Sequence, residues 1–521
     1  MFKKLALLIG LCLSPVFGAY QSERLFDNTG GLVDRYSPIL MPNKAASDIQ
    51  NIHFDTRGQL IKRAGYDKNN VSYLTLSTVT GGGYHQSTTG TSFMAVVVGT
   101  NVYTTGNTFG GTYTTVTGTA TLTASINNLA QMTSFNDWAV ICNESDPPIQ
   151  VNATVGYRIT AVSTGAKTCE SYNNYLLLGN LSEGGVTYGS RFRWSDLGVI
   201  GTWPANNYID IEPSDGDSIV AIKRFQQNVY IFKKRSIYEA IQTGGSGAEA
   251  FIVRPIARGI GAYAKNSVQV INNTGIVFLG QNGVYMFDGS NFEFISDPIQ
   301  RTVDGFNRSR FPYAVGAVYP PKNQYWLSFS DGSDTQNQTI LIYDYIQQAW
   351  SVYEGIYANA LITAEDNNGN VVLFSGDYAG SVYKQDTGTS DEPSGNTTNI
   401  SAFYATANYA LGAPEIDKNF KYLYVFSRAT VQSAITVDVA YNYVGGYQDT
   451  YSLNIGEAGA VWGTAVWGTD VWPGTAVQVQ RIELNRRGKA IRLKFSENSD
   501  TQLGILGWSI VYTNEDYRDD N

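Results

Sequence analysis

Carboxylates are the side chains of this sequence most able to do chemistry. Glycoside hydrolysis needs a pair of them, and the candidates are Asp196, Asp210, Asp215, Asp217 and Asp288. Each is predicted to lie at a turn, where Asp is favoured because its side chain hydrogen-bonds to the nearby backbone. The pattern therefore favours turn-forming residues over a catalytic pair.

Histidines and metal-binding patterns are scarce. The two histidines, His53 and His85, are predicted to be surface or turn residues. The Asx-rich stretches 215–217 and 366–370 do not match the twelve-residue calcium loop with its closing Glu. The sequence contains no nucleophile elbow, zinc-protease motif, phosphate-binding loop or dinucleotide fingerprint. We therefore expect no enzyme, no metal site and no cofactor.

Four arginines are the remaining candidates for a ligand site. A sialidase-like propeller binds a carboxylate through an arginine cluster, which here would draw on Arg191, Arg193, Arg224 and Arg235. The Asp-box turns of such enzymes, Ser-x-Asp-x-Gly-x-x-Trp, are absent from the sequence. A secreted glycan hydrolase is therefore kept only as an alternative.

Three cysteines leave little room for thiol chemistry. Cys12 lies in the N-terminal apolar stretch, so the body of the chain holds only Cys142 and Cys169. Their spacing matches no metal-knuckle pattern. Two buried free thiols are the favoured interpretation, and a disulfide formed in an oxidising compartment is the alternative.

The composition indicates the elements that would carry these residues. Among 521 residues there are 53 Gly and 35 Tyr, and only 16% of the chain is charged. Tyr, Val and Thr suit a pleated, half-buried surface, whereas Gly, Asn and Asp suit tight turns. The chain is therefore predicted to be all-β. A net charge of −9 argues against a protein that binds nucleic acid through its phosphates. Such a surface would, however, let a DNA duplex slide past without adhering.

The N-terminus resembles a signal peptide. Lys3 and Lys4 precede an apolar run from Leu5 to Leu13, and small residues follow up to Ala19. The run is too short for a comfortable membrane span. Two interpretations of residues 1–19 stay open: a cleaved export leader, or an apolar arm that docks on a neighbouring subunit or contacts a membrane.

A repeated design follows an extended N-terminal segment, residues 20–72, in which 45–52 are predicted to form a short helical turn. Across residues 73–386, apolar strand pairs flank polar turns and recur about every 40 to 50 residues, the period of four-stranded propeller blades. The clearest pair, 275–289, flanks a Gly-Gln-Asn-Gly turn. We predict a β-propeller of six or seven blades, with a β-sandwich array as the alternative.

The design changes after residue 386. Residues 387–399 are polar and predict a linker, and the longer alternating strands of 400–521 predict a β-sandwich-like domain. A Trp-Gly-Thr stretch between these strands holds Trp462, Trp467 and Trp472. It is either a loop that caps the sandwich or a protein-contact patch.

Several ordered segments together resemble the tail nozzle proteins of short-tailed phages, which include the packaged-DNA stabilisation proteins. The resemblance covers most of residues 28–513. It is carried by Asp146-Pro147-Pro148, Asn173 to Asn180, Arg191 to Gly198, Thr202-Trp203-Pro204, Asp217 to Ile222, Val229 to Tyr238, Gly283 to Gly289 and Ile295 to Ile299. The opening segment and the Trp-Gly-Thr stretch are similar too.

The resemblance implies a structural virion protein without an active site. Its subunits would form a homohexameric ring below the portal and its adaptor protein, contact tail fibre or needle proteins, and touch double-stranded DNA transiently and without specificity. Long loops at 202–217 and 242–262 are the candidates for channel or neighbour contacts, through Asp215, Asp217, Gly244, Gly247, Gly259 and Gly261. The alternative is an exported, secreted or periplasmic propeller that binds glycans or a surface partner.

Overall fold

The computed structural model describes residues 20–515, except for 56–57, 72–73, 163–164, 273, 393–395, 429–432 and 456–476. Nearly all of the regular structure is β. Five strands precede the first repeated unit: β1 Gln21–Leu25, β2 Ala46–Gln50, β3 Ile52–Phe54, β4 Leu60–Lys62 and β5 Gly65–Lys68. The predicted helical turn at 45–52 is wrong, because residues 46–50 form strand β2.

Seven mainly antiparallel sheets of similar design follow one another along the chain, with parallel pairs only between β10 and β14 and between β5 and β34 among the described strands. Blade 1 comprises β6 Val79–Gln86, β7 Ser92–Val98, β8 Asn101–Gly106 and β9 Thr114–Thr115, and blade 2 comprises β10 Thr117–Gly118, β11 Gln131–Phe135, β12 Trp138–Cys142, β13 Ile149–Val151 and β14 Val155–Arg158. Blade 3 comprises β15 Gly165–Tyr172, β16 Tyr175–Glu183, β17 Val186–Trp194 and β18 Tyr208–Asp210. Blade 4 comprises β19 Ile219–Phe225, β20 Asn228–Lys233, β21 Ser236–Gln242 and β22 Phe251–Arg258.

The last three blades complete the set. Blade 5 comprises β23 Gln269–Ile271, β24 Gly275–Leu279, β25 Val284–Phe287 and β26 Phe292–Phe294. Blade 6 comprises β27 Val315–Tyr319, β28 Gln324–Phe329, β29 Thr339–Asp344 and β30 Ala349–Glu354. Blade 7 comprises β31 Ala360–Glu365, β32 Val371–Gly376 and β33 Val382–Thr387, together with β5, β34 Ser390–Asp391 and β35 Thr398–Asn399. The connections hold the short helix α1 (Gln300–Asp304) and 3-10 turns at Gly247–Glu249, Lys265–Ser267, Asp297–Ile299, Arg308–Tyr313 and Pro320–Lys322.

The innermost strands of the seven blades, β6, β11, β15, β19, β23, β27 and β31, form a closed ring. Each innermost strand contacts that of the next blade, and β31 of blade 7 contacts β6 of blade 1. The N-terminal strand β5 pairs antiparallel with β33 and so supplies the fourth strand of blade 7. Strands from the two ends of the repeat array thus close the ring, and closure removes the open edge that a linear array would leave. The predicted propeller is confirmed, and it has seven blades.

A β-sandwich uses both ends of the chain. Its later strands are β36 Ala402–Thr406, β37 Lys418–Ser427, β38 Ser433–Tyr441, β39 Asp449–Ile455, β40 Gln478–Gly488, β41 Ile491–Glu497 and β42 Gly504–Asn514. One sheet has the order β3-β4-β42-β37-β40, with β1 also paired to β42, and the other has the order β2-β36-β41-β38-β39. Between the sheets, the Trp508 ring lies 4.8 Å from that of Phe495.

The sandwich packs against the outer edge of blade 6. Strands β2 and β3 contact β30, the outermost strand of that blade, and the Asn51 amide donates to the Val352 carbonyl oxygen at 2.7 Å. Arg63 stabilises the junction from within. Its guanidinium donates to both Asp391 carboxylate oxygens at 2.6 and 2.7 Å and to the Glu354 carbonyl oxygen at 3.0 Å. Residues 20–68 therefore belong to the sandwich and to blade 7.

The structure bears on four local predictions from the sequence, which concern a turn, the two histidines, the linker and the two cysteines of the body. The turn at 280–283 lies between β24 and β25 as expected. Both histidines are buried in strands, His53 in β3 and His85 in β6, so their prediction as surface residues is wrong. Residues 387–399, expected to form a linker, include β34 and β35. Cys142 and Cys169 are buried free thiols, as favoured.

Candidate interaction surfaces

The axis of the propeller is a narrow channel lined by small residues. A cavity of 260 Å³ runs between the innermost strands, with Gly81, Gly82, Gly316 and Ala360 among its lining residues. A Cβ atom added at Gly82 would lie 2.2 Å from the Ala95 carbonyl oxygen. Ala95 belongs to β7 of the same blade, and the added atom would also lie 2.7 Å from Ile362 Cδ1 of the adjacent innermost strand β31. Glycine therefore permits close packing at this position.

Polar side chains cross the channel at one end. The Asn266 amide of the segment that enters blade 5 donates to the Ala130 carbonyl oxygen of blade 2 at 3.2 Å. Arg310, which precedes blade 6, donates to the Asn127 side-chain oxygen at 2.6 Å. These contacts span the ring because blades 2 and 5 lie three blades apart. The channel is therefore closed to anything larger than a small solute.

A buried lysine lies beside the channel and the two thiols. Lys265 donates through Nζ to the Lys167 carbonyl oxygen at 3.0 Å. Burial, and next the positive charge of Lys167, lower the pKa of Lys265 from 10.5 to about 8. Burial and a contact with Cys169 raise the pKa of Cys142. Both shifts favour the uncharged forms, which makes the cluster part of the protein interior.

The acidic turn predicted as a channel or neighbour contact is engaged within its own subunit. Asp215 accepts from Lys233 Nζ at 2.8 Å, and Asp217 accepts from the backbone amides of Lys234 and Arg235 at 3.1 and 2.9 Å. These bonds hold the loop between blades 3 and 4 against the β20–β21 turn. A contact of Asp215 or Asp217 with DNA or a neighbour stays a prediction.

The predicted loop glycines lie in the turns and connections of blades 4 and 5, and their role in channel or neighbour contacts stays a prediction. Gly244 and Gly259 have positive φ values of 82° and 85°, and Gly247 accepts at its carbonyl oxygen from Trp194 Nε1 at 3.0 Å. A Cβ atom at Gly261 would lie 2.2 Å from the Lys233 carbonyl oxygen. Gly261 therefore permits close packing against blade 4. Trp462, Trp467, Trp472 and the leader lie outside the described residues.

Two of the four arginines considered for a carboxylate site, Arg191 and Arg193, are already paired with carboxylates. Arg191 forms two hydrogen bonds of 2.8 Å with Asp210, and both Arg191 and Arg193 contact Glu183. The guanidinium carbon of Arg191 lies 3.8 Å from the centroid of the Tyr188 ring and 3.9 Å from that of the Tyr208 ring. This arrangement stiffens the outer edge of blade 3.

The other two arginines, Arg235 and Arg224, lie in different surroundings. Arg235 donates to the Gly216 carbonyl oxygen at 3.5 Å, and Arg224 lines a small cleft with Asn174 and Ser134. The remaining candidate carboxylates act in turns: Asp196 accepts from the Leu197 amide and Asp288 from the Ser290 and Asn291 amides. Asp210 differs from the prediction, because it lies in strand β18. Among the described residues, no three metal-binding side chains form a cluster.

Two exposed apolar surfaces were not predicted from the sequence. The first, here called the apolar loop, comprises residues 36–40, where Tyr36, Ile39 and Leu40 are 47%, 51% and 74% exposed. Its backbone is held on both sides: the Arg35 amide donates to the Pro298 carbonyl oxygen and the Asn408 amide to that of Pro38. Three large apolar residues next to a proline were the sequence signal for it.

The second surface lies on blade 3. Leu197 and Val199, which follow the end of β17, are 55% and 43% exposed. Near the same end of that strand Tyr208 pairs with Arg193, and its half-exposed ring stands beside Arg191. We call this set the blade 3 surface. Blade 3 lies three blades from blade 6, against which the sandwich packs. The two apolar surfaces therefore face different directions from one compact body.

A larger cavity lies where the sandwich meets blades 6 and 7. Its volume is 610 Å³, and the lining includes His53, Phe54, Arg63, Lys322 and Gln347. Burial, and secondly the charge of Lys322, hold the pKa of His53 well below its usual value, so the imidazole is neutral.

No helix within the described residues is both long and apolar enough to span a membrane.

The ring of seven blades closed by β5 defines a β-propeller, here joined to a β-sandwich built from both chain ends. No protein-family model matches the sequence, and no curated protein matches it. Solved structures with a similar fold include a streptogramin B lyase (11% identity, TM-score 0.36, covering 61% of this chain and 96% of that one). BamB from Moraxella catarrhalis (12%, 0.34, 70% and 96%) and the Pan2 WD40 domain from Neurospora crassa (9%, 0.37, 64% and 98%) are others.

These TM-scores are below 0.5, so the fold assignment rests on the sheet order and the ring of innermost strands. The names of those proteins therefore say nothing about the activity or the partners of this chain.

Proposed function

We propose that this chain is a non-enzymatic structural subunit of a short phage tail. Its copies form a closed ring, the tail nozzle or hub, which retains packaged DNA and conducts it during ejection. The ordered resemblance to tail nozzle proteins supports this function. The segments that carry most of it lie in consecutive blades, in β16 and β17 of blade 3, β19 to β21 of blade 4 and β25 of blade 5.

The observation that carries the proposal is the pair of unlike apolar surfaces. A closed ring needs a heterologous interface, in which one patch of a subunit binds a different patch of its neighbour. The apolar loop lies on the sandwich side of the molecule, and the blade 3 surface lies on a blade remote from the sandwich. Head-to-tail contact between these surfaces would repeat from subunit to subunit.

The DNA path in such a ring would be the lumen between subunits. The axial channel of one propeller holds 260 Å³ and is crossed by the Asn266–Ala130 hydrogen bond. The major groove of a duplex is alone about 12 Å wide, so a duplex does not fit there. The net charge of −9 would limit adhesion of DNA to the lumen.

The other partners follow from the proposed position in the tail. One side of the ring would contact a portal-adaptor protein, and the other would contact tail fibre or needle proteins. Residues 1–19 would stay attached as an apolar arm that docks on a neighbour or contacts the host membrane. The localisation would be the virion, with a secreted or periplasmic propeller as the alternative.

Mass spectrometry of purified phage particles from the source, combined with N-terminal sequencing, tests the proposal. We expect the chain in the particles, beginning near Met1, and a ring of about six copies by light scattering and negative-stain microscopy. A chain that begins near Ala19, is absent from particles and stays monomeric would contradict the proposal. That result would favour the exported, glycan-binding alternative.

A further inference from the structure

One sheet of the sandwich carries aromatic side chains on its outer side. In β37, Tyr422 and Tyr424 flank Leu423, which is buried in the core. Because side chains alternate between the two sides of a sheet, both tyrosine rings point away from the core, as does the ring of Phe426 two residues further on. The Phe26 ring, directly after β1, lies 4.9 Å from the Phe426 ring. The aromatic side chains therefore extend across the sheet from β37 to the end of β1.

The neighbouring strands add exposed apolar residues to this side. Val479 of β40 pairs with Phe426, and Val479 and Val477 are 51% and 47% exposed. Gly507 of β42 also pairs with Phe426, and a Cβ atom there would collide with the Phe26 ring. We call the outward side of residues 20–26, 422–426, 477–483 and 507–511 the sandwich face.

Three charged residues lie on the sandwich face, namely Arg24, Arg481 and Glu483. Arg481 contacts Glu483 at 3.0 Å, so these two charges offset one another. Glu23 of β1 belongs to the other side of the sheet, because it pairs with the buried Ile510. Two arginines and one glutamate leave the face with only a small net positive charge.

The N-terminal leader joins the body at the same face. Tyr20 is 66% exposed and directly precedes β1, the strand that forms one side of the sandwich face. The apolar run from Leu5 to Leu13 is about half as long as the roughly 20 residues that a helix needs to span a bilayer. A leader that stays attached can therefore contact a membrane surface but cannot cross the membrane.

We propose that the sandwich face lies against a phospholipid bilayer, next to the leader. This inference rests on the proposed function, in which residues 1–19 stay attached to the subunit. Aromatic side chains prefer the interface between a bilayer and water, and an apolar surface binds there by burying its area among headgroups and acyl chains. One short apolar anchor holds a protein only weakly, so stable contact takes a second one. The sandwich face supplies that second contact beside the leader.

The charges and the ring geometry favour a bilayer over a strand of nucleic acid. Single strands also bind aromatic rings, but they do so in positively charged grooves where successive bases stack. Here Glu483 offsets Arg481, and the Tyr422 and Tyr424 rings are tilted by 58° to one another, so they do not form a flat platform. Apolar contact with lipid requires neither feature.

Vesicle flotation with the full-length protein tests the inference. The probes are vesicles of phosphatidylethanolamine with a minor share of phosphatidylglycerol, and we expect the unchanged protein to float with them. A Val477→Asp, Val479→Asp double variant should lower the partition coefficient roughly tenfold, because two apolar side chains no longer gain from burial. Ile252→Asp is the matched control, since Ile252 is 55% exposed but lies in β22 of blade 4. It should float like the unchanged protein.

Salt and a milder variant make the result specific. Because the contact is apolar, about 0.5 M sodium chloride should change flotation by less than about twofold. If the double variant does not fold, as judged by circular dichroism, Val479→Ser alone makes the same test with an expected loss of roughly threefold.

Three results would overturn the inference. They are no flotation of the unchanged protein, unaltered flotation of the double variant, and loss of ring assembly by the double variant in light scattering, which would make the sandwich face a subunit interface. The proposed function fails separately: a chain that floats with vesicles but is absent from phage particles contradicts the tail assignment alone. A chain found in particles as a ring that does not float contradicts only the membrane contact.

Discussion

The propeller and the sandwich are built from the chain in opposite ways. A blade such as blade 4 uses one continuous stretch, from Ile219 to Arg258, and each strand pairs with the next. The sandwich joins strands of residues 21–62 to strands of residues 402–514. Pairing within a blade is local, whereas the sandwich must bring both chain ends together before it can form.

The interiors of the two regions differ as well. Around the propeller axis, small residues such as Gly81 and Ala360 let strands pack closely. At the junction with the sandwich, a buried ion pair joins distant parts of the chain, in the contact of Arg63 with Asp391. The propeller therefore depends on steric fit near its axis, whereas attachment of the sandwich depends on charge pairing.

Loss of a junction ion pair should have the largest effect. Arg63→Ala leaves the buried Asp391 carboxylate unpaired, and we expect the free energy of unfolding to fall by about 3–5 kcal/mol in urea denaturation. Arg481→Ala is the matched control, because Arg481 and Glu483 are 52% and 57% exposed in their pair. It should cost no more than about 1 kcal/mol. Equal effects of the two variants would refute the contrast between the regions.

Crowding the propeller axis should have the next largest effect. At Gly82 a Cβ atom would meet the Ala95 carbonyl oxygen at 2.2 Å and Ile362 Cδ1 at 2.7 Å. Gly82→Ala should therefore lower the free energy of unfolding by about 1–3 kcal/mol. Gly106→Ala lies in the same blade with nothing within 4 Å of the new atom. Thermal and urea unfolding should show the control within about 0.5 kcal/mol of the unchanged protein.

The buried lysine beside the axis predicts a pH dependence. The pKa of Lys265 is lowered to about 8 by burial, and it returns to its ordinary value on unfolding. Above pH 8 the unfolded chain therefore binds more protons, so stability rises with pH by up to about 1.4 kcal/mol per pH unit.

Lys265→Met should remove this slope. The measurement is urea unfolding of both proteins between about pH 7.5 and 9.5, below the ordinary pKa of Tyr and of unfolded Lys. We expect the stability of the unchanged protein to rise relative to that of the variant across this range. Parallel pH profiles would show that Lys265 is not the titrating group.

The smallest effect on stability is expected at the apolar loop. Leu40 is 74% exposed, so Leu40→Asp should change the free energy of unfolding by less than about 0.5 kcal/mol. Its effect should appear in self-association instead, as a shift from ring to monomer in light scattering. A folded variant that still forms the ring would exclude the apolar loop from the interface.

Local patterns were enough to predict the propeller. Strand pairs such as 275–289 carry their turn between them, so the sequence signal and the hydrogen-bonded partner lie within a few residues. Strand β2 gave no such signal, because its partner β36 follows about 350 residues later; the Ser47 hydroxyl contacts the Thr406 carbonyl oxygen across that separation. The helical turn predicted there was wrong for this reason.

Surfaces and cavities were harder to predict than strands. The burial of His53 depends on the docking of β3 against blade 6, which no local pattern reports. The junction cavity combines residues from 53 to 502, so no sequence motif could indicate it. The apolar loop was within reach, since Ile39 and Leu40 follow a proline, but exposure is decided only by the packing around it.

Mixing two association-defective variants tests the head-to-tail ring most directly. Leu40→Asp disables the apolar loop, and a Leu197→Asp, Val199→Asp double variant disables the blade 3 surface. Each alone should be a monomer, and the mixture should form one-to-one dimers and nothing larger, because each partner keeps one working surface. Mass photometry would record this directly. Persistent rings in either variant alone, or no association in the mixture, would contradict the account.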